Sequence, residues 1–557
     1  MQANRSQVAI KFLPSMADLV FLMPLVFLFT RMEGMKTIFG DCDTGWHIRT
    51  GEWILANHAV PTHDLFSYTK PDSVWYAWEW LTDVIWALLR AHGGLAAIGI
   101  FAMLLFPLTF VLLFGLVRRN ANAIVAAVVT LTAAVSSSVH WLARPHLFTL
   151  LFSVLFYRGL ERVRAGESAW HGIPYLAMFP LATILWTNLH GGFFVGIIMI
   201  GTYGAGELLK ALLTGKDEER RPALHRAGGY AMSAVACVAA SLVNPYGYHL
   251  HEHVVQYLLD PYQSQHIIEF LSVSFHHPLA PFFEAMLLLS ALAALWYCSR
   301  GEYIQPLMLL MWAHAALLSV RNIPIFMIVA APAAAALIEN YLHRLPECNV
   351  AGWLRRAAGK FNRGAADLSE TDSIARWHLV SAAGFALAAA IVLAPHPPAK
   401  FRAEFSPKSF PVAAAATLAS YPSAHVFTSD QWGDYLIYSL FPRTRVFTDG
   451  RSDYYGADFG MKYLDVLNVS VGWEKTLARY GVDTILMPPN SPLTGALKVS
   501  PRWRVVYDDG VAVVFRPASK AVGKPVSVAS CGGATRDREI TKTAASDRMI
   551  ANHKTKT

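Results

Sequence analysis

Residues 41–53 read DCDTGWHIRTGEW, directly after the first long apolar run of the chain. Asp41 and Asp43 stand one residue apart where a membrane span would leave the bilayer, and Trp46, His47 and Trp53 follow in a stretch that reads as a helix. Charge is expensive at membrane depth unless it faces partners or a cavity, so carboxylates at such a boundary are functional candidates. Asp43 or Thr44 is also suited to cap the helix that follows, a purely local use of the same residues.

Outward from this motif the composition sets the class. Hydrophobic residues make up 54% of the 557, charged ones only 15%, and runs of the ~17–25 residues needed to cross a bilayer recur up to residue 394. The chain reads as a polytopic α-helical membrane protein with about 11 spans by the hydropathy rule. They are expected at 13–33, 95–117, 121–142, 146–163, 173–187, 193–213, 227–243, 281–299, 303–320, 323–342 and 376–394. The first follows Arg5 and Lys11 without a small-residue cleavage site and reads as a retained signal anchor. With the N-terminus cytoplasmic, nineteen Lys and Arg fall at inner ends. Only Arg31, Lys36, Arg49, Lys70, Arg90, Arg144 and Arg321 fall at outer ones, which is the bias that orients membrane proteins. That bias, rather than nucleic-acid binding, accounts for the net charge of +8. The five cysteines have no paired or zinc-like spacing.

This topology makes 34–92 a long first outer loop with two helices lying on the membrane. The segment 79–90, EWLTDVIWALLR, rises only about 18 Å as a helix, short of a hydrocarbon core of about 30 Å. On the helix at 46–57, Trp46, Trp53 and Ile54 recur at i, i+7 and i+8, placing the indoles at headgroup level. Other outer joins hold Arg144-Pro145-His146, Asn188-Leu189-His190-Gly191-Gly192, Asn244-Pro245-Tyr246-Gly247 and Arg321-Asn322. The domain organisation is therefore 1–394 transmembrane, 395–518 a small outer α/β domain, and 519–557 a polar tail read as disordered. Alternating elements in 395–518, with strands at 425–429, 445–449, 482–487 and 511–516, read as Rossmann-like, without a glycine-rich nucleotide fingerprint.

Collected on one side are Asp41, Asp43, His47, Asp64, Glu79, Arg144, Asn188, His190, Asn244, Glu269 and Arg321. Carboxylates beside arginines suit a substrate with a phosphate leaving group and a hydroxyl nucleophile: guanidinium forks hold the phosphate, and an aspartate takes the acceptor's proton. The second aspartate of the pair would bind a divalent cation or raise the pKa of the first, and the residues do not choose between these. His47, Glu79, Arg144, Asn188, His190, Asn244 and Arg321 are the candidates for substrate or phosphate contact.

The order of these parts resembles the GT-C superfamily of membrane glycosyltransferases: one span, an acidic motif opening a long outer loop, a multispan core and an outer C-terminal domain. That superfamily includes protein mannosyltransferases, lipid A aminoarabinose transferases and oligosaccharyltransferase catalytic subunits. The strings DCDTGWHIRTGEWILANHAVPTHDLFSYTKPDSVWYAWEWL, ARPHLFTLLF, LWTNLHGGFFVG and LVNPYG carry the likeness. QWGDYLIYSLFPRTRVFTDGR (431–451) is similar to the Trp-Trp-Asp region of oligosaccharyltransferases, with Gly433 interposed between Trp432 and Asp434. The resemblance implies an inverting hexosyl- or pentosyltransferase in the bacterial inner membrane with a periplasmic C-terminal domain. Its donor would be a polyprenyl-phosphate-linked sugar and its acceptor a glycan, lipid or protein, with membrane lipids as further partners. Asp41 or Asp43 maps to the base. Some members use Mg2+ or Mn2+ and others no metal. The rival readings are a glycolipid transporter or flippase, which would normally carry inverted repeats, and a non-catalytic scaffold of cell-envelope glycan assembly.

Overall fold

The computed structural model describes residues 11–171, 173–421 and 424–518, and residues up to Ala518 form one compact unit. The tail expected to be disordered lies outside the described residues. Counting the longer helices in chain order, α1 (Met16–Thr30) opens on a capping box, in which Ser15 caps the Asp18 backbone N–H and Asp18 accepts from the Ser15 backbone. Then follow α2 (Asp43–Asn57), α3 (Trp80–Val117), α4 (Ala123–Ser136), α5 (His146–Arg164), α6 (Tyr175–Leu189) and α7 (Phe194–Leu213). The chain continues through α8 (Asp217–Ala240), α9 (His249–Leu259), α10 (Ala280–Cys298), α11 (Ile304–Leu318), α12 (Ile323–Arg344), α13 (Gly352–Ser373) and α14 (Leu379–Val392).

Every segment expected to span the membrane is helical. Among the described residues, five helices are long and apolar enough to cross by length and composition, and four more are apolar but shorter. The centre of the helical part is α12, in which Ile323 to Leu337 are all buried. Its Ala330–Ala336 run, interrupted only by Pro332, presents small side chains, which let α4, α10 and α11 approach closely, the usual way of packing helices where water supplies no drive.

Helix α3 joins the segments read as an interfacial helix and a span, but not in one rod. Gly93 (φ −150°) and Gly94 (φ +62°) leave helical geometry, a break that glycine takes at little cost. Beyond it, Leu95–Val117 alone rises about 35 Å, enough to cross. Trp46 departs from expectation: it is buried, with its indole against the His47 ring at 3.6 Å and near Trp75, rather than at headgroup level. The first outer loop folds back over α2 and covers it.

After α14, the C-terminal part contributes α15 (Asp430–Leu440) and a sheet of β1 (Val426–Phe427), β2 (Thr484–Met487), β3 (Trp503–Asp508) and β4 (Val513–Pro517) in the order β1-β2-β4-β3. Only β1 and β2 are parallel; the other pairings are antiparallel. The sheet is therefore mixed, and the Rossmann-like expectation is corrected. The RVFTD segment forms no strand but makes single parallel bridges from Val446 to Val426 and to Ser67. Its other neighbour is thus the first loop, which enters the edge where a further strand was expected.

Candidate functional site

Three separated segments deliver the acidic motif to one cavity. Helix α15 starts where Ser429 caps the Trp432 N–H, and it packs on α2, with the Cys42 N–H donating to Gln431 and Arg49 to the Tyr438 carbonyl. The join before α5 supplies Arg144. Its guanidinium is gripped by Asp41 Oδ2 at 2.8 Å, Asp43 Oδ2 at 2.6 Å and Glu269 Oε1 at 2.5 Å. Asp41 also turns its Oδ1 to the Asp43 backbone N–H. Burial pushes the Asp43 carboxyl up to about 7, outweighing the pull of Arg144. Glu269, although buried, is held below the usual carboxylate range by Arg144 and Arg321.

Asp43 Oδ1 has no hydrogen-bond donor among the described residues, and neither has Asp434 Oδ2 on α15. A Cβ added to Gly450 would stand 2.3 Å from the first and 2.8 Å from the second, so the two buried oxygens crowd the same spot. Asp434 Oδ1 accepts the Gly450 N–H. Burial and the neighbouring Asp43 raise the Asp434 carboxyl well above its ordinary range. Two ionised groups so placed would repel, so the pair resists ionising together.

A second polar chain forms the opposite wall. Asp83 Oδ1 lies 2.6 Å from His47 Nδ1, and His47 Nε2 faces Glu79 Oε2 at 3.5 Å. Glu79 Oε1 meets His190 Nε2 at 3.2 Å. His190 Nδ1 accepts the Gly192 backbone N–H, which fixes the tautomer: Nε2 carries the proton and donates to Glu79. Burial holds both imidazoles well below the usual histidine range and pushes Glu79 up to about 8 against the pull of Arg144 and Arg321.

The cavity bounded by these walls measures about 1310 Å³, above the usual range for ligand pockets of roughly 300–1,000 Å³. Asp41, Asp43, His47, Glu79, Arg144, His190 and Arg321 all line it. Arg321 donates to the Tyr257 hydroxyl and lies over the Phe270 ring, and among the described residues no carboxylate stands within 4 Å of it. From this polar end the cavity continues between Leu150, Phe194, Ile198, Leu258, Leu318 and Ile325.

Other candidates fall outside. Asn188 accepts from the Trp80 indole and donates to the Ile184 and Val243 carbonyls, tying α3 and α6 to the turn after α8. Asn244 satisfies its own turn through Ser241, Gly247 and Tyr246. Asp64 is buried against Arg451, which also grips Asp449. The hydrogen bonds and ion pairs of these three go to neighbouring residues, and none of the three lines the cavity. Arg144, expected to hold phosphate, is likewise engaged by three carboxylates. Its guanidinium stands among Asp41, Asp43 and Glu269, and among the described residues no group of three or more His, Cys, Asp or Glu is arranged to hold a metal. Sequence reasoning passed over Asp434 and Gly450 as site residues; the sole signal was the Trp432-Gly433-Asp434 string.

No protein-family model matches the chain, and no curated protein matches it. Among solved structures it is similar to the archaeal oligosaccharyltransferase AglB from Archaeoglobus fulgidus in complex with an inhibitory peptide and a dolichol-phosphate. That match has 12% identity and a TM-score of 0.49 and covers 90% of this chain and 74% of that one. It is also similar to ArnT from Cupriavidus metallidurans bound to undecaprenyl phosphate, with 15% identity over 91% of this chain and 98% of that one and a TM-score of 0.44.

Proposed function

We propose that the protein is a GT-C-type glycosyltransferase that moves a sugar from a polyprenyl-phosphate-linked donor to an acceptor on the non-cytoplasmic side of the bacterial inner membrane. One observation carries this reading. A single cavity joins a carboxyl raised toward neutral pH, a guanidinium with no carboxylate partner among the described residues and a stretch lined by apolar side chains. The basic-residue bias of the sequence supports an N-terminus in the cytoplasm and an acidic end facing away from it.

In this reading Asp43 removes the proton of the acceptor as the acceptor's oxygen or nitrogen bonds to the anomeric carbon. The bond from that carbon to the phosphate oxygen breaks, its electron pair stays on the phosphate, and Arg321 stabilises the new charge. Attack from the face opposite the leaving phosphate inverts the anomeric centre. Arg144 and Asp41 hold Asp43 in place, while Glu79, kept protonated by burial, is a hydrogen-bond donor available to the sugar or acceptor. The apolar-lined stretch of the cavity takes the isoprenoid chain.

The test is sugar transfer by purified protein in membranes containing its lipid-linked donor. Asp43→Asn should lower transfer at least 100-fold, the lower range for losing a general base, with unchanged expression and melting temperature. Undiminished transfer by this variant removes the assignment. Movement of the intact glycolipid across the bilayer without transfer would instead make the protein a transporter.

A further inference from the structure

A second cavity, of about 300 Å³, lies at the far ends of α3 and α5 from the acidic site and is lined by Gly115, Leu116, Arg119, Arg158, Arg162 and Glu167. Three guanidinium groups face one carboxylate there. Glu167 is shared, 3.3 Å from Arg119 and 3.9 Å from Arg162. Arg162 also donates to the Tyr175 hydroxyl, and Arg158 to the Leu112 carbonyl. Among the described residues no carboxylate stands within 4 Å of Arg158. Its guanidinium is seated against bare backbone, since a Cβ on Gly115 would come within 2.7 Å of Nη1. A pocket with two uncompensated positive charges and a glycine floor is built to receive an anion.

Its position says which anion. Helix α3, apolar enough to cross a membrane, ends at Val117, so Arg119 stands just past the hydrocarbon edge, where lipid headgroups lie. Leu155, one turn before Arg158 on α5, is exposed beside it, a surface that an acyl chain covers. We infer that this cavity binds the phosphate of an anionic lipid headgroup, held by Arg119, Arg158 and Arg162. Basic pockets between spans take such headgroups. The site is separate from the acidic cavity and stands whether or not the protein transfers sugars.

Native mass spectrometry of the full-length protein, titrated with phosphatidylglycerol or phosphatidylcholine of equal chain length, tests this. Phosphatidylglycerol should bind at least ten-fold more tightly. Arg158→Gln and Arg162→Gln should each weaken it about five-fold, the share expected of one basic residue at a charged membrane surface. Arg119→Gln, at an exposed position, should act in the same direction without risk to folding. Inorganic phosphate supplies the second arm. If it raises the melting temperature of the wild type but not of the Arg158→Gln, Arg162→Gln double variant, while the two lipids bind alike, the phosphate site stands with a soluble source. Equal lipid binding with no effect of phosphate overturns the inference, as does a full phosphatidylglycerol preference in all three variants.

Discussion

At the scale of single residues the site is marked by carboxyl groups that burial raises toward neutral pH and above. Asp43 and Glu79 are pushed up to about 7 and about 8, from ordinary values of 3.8 and 4.5. A carboxyl raised on folding adds stability that is fully present below its unfolded pKa and is lost as pH rises through the folded one. The melting temperature should therefore fall between about pH 4 and pH 8, and Glu79→Gln should remove the upper part of that fall, as differential scanning fluorimetry would reveal. Asp434 acts through its neighbour. A protonated Asp434 facing Asp43 would be able to donate to it and stabilise the anion, so Asp434→Asn, which keeps a donor, should preserve the pH profile of transfer. Asp434→Ala should move its acidic limb to higher pH. Identical profiles for the two variants would reduce Asp434 to a packing role.

At the scale of elements, close approach between helices sets the geometry. Gly51 on α2 faces the Asp83 carbonyl on α3, and a Cβ there would stand only 1.9 Å from that oxygen. Gly51→Ala should wedge the two helices apart, costing about 1–3 kcal/mol as overpacking does, and should disturb the His47–Asp83 contact. A lowered melting temperature together with impaired transfer is the expected result. The helices themselves were legible in the sequence because a bilayer demands long apolar runs, a signal that survives without knowledge of neighbours. The boundary between the flat segment and the span was read from the short length of 79–90, and the structure places the break at Gly93-Gly94. The strands were less legible. Trp503–Asp508 was missed because it is an edge strand without a buried residue, so its apolar side chains show no in-out alternation. The RVFTD run has the right residues for a strand but lies between β1 and the first loop, making one bridge to each. Tertiary surroundings decide such cases more than local preference.

At the scale of the whole molecule, the first loop and the C-terminal part are fastened by buried charge. Arg451 pairs with Asp64 and Asp449 and lies over the rings of Phe66, Trp75 and Tyr454. Arg451→Met would leave two carboxylates buried without a cation, a change that typically costs about 3–5 kcal/mol. It should open the first loop to protease while the helical part stays resistant. Convergence of Asp41, Asp43, His47, Glu79, His190 and Arg321 on one cavity was readable from topology alone, because all were assigned to one side of the membrane. What each side chain touches was not. Asn188 and Asn244 share that side but spend their polar atoms on neighbouring carbonyls and turns, a choice fixed by distances of a few ångströms that no linear pattern encodes.

The packing of α15 on α2 brings Asp434 to Asp43 across nearly four hundred positions of chain. A ribosome releases the first carboxylate long before it makes the second, so a partly synthesised chain holds only one half of the pair. In the proposed transferase, transfer would therefore begin only once the C-terminal part has been made and has packed onto the start of the chain.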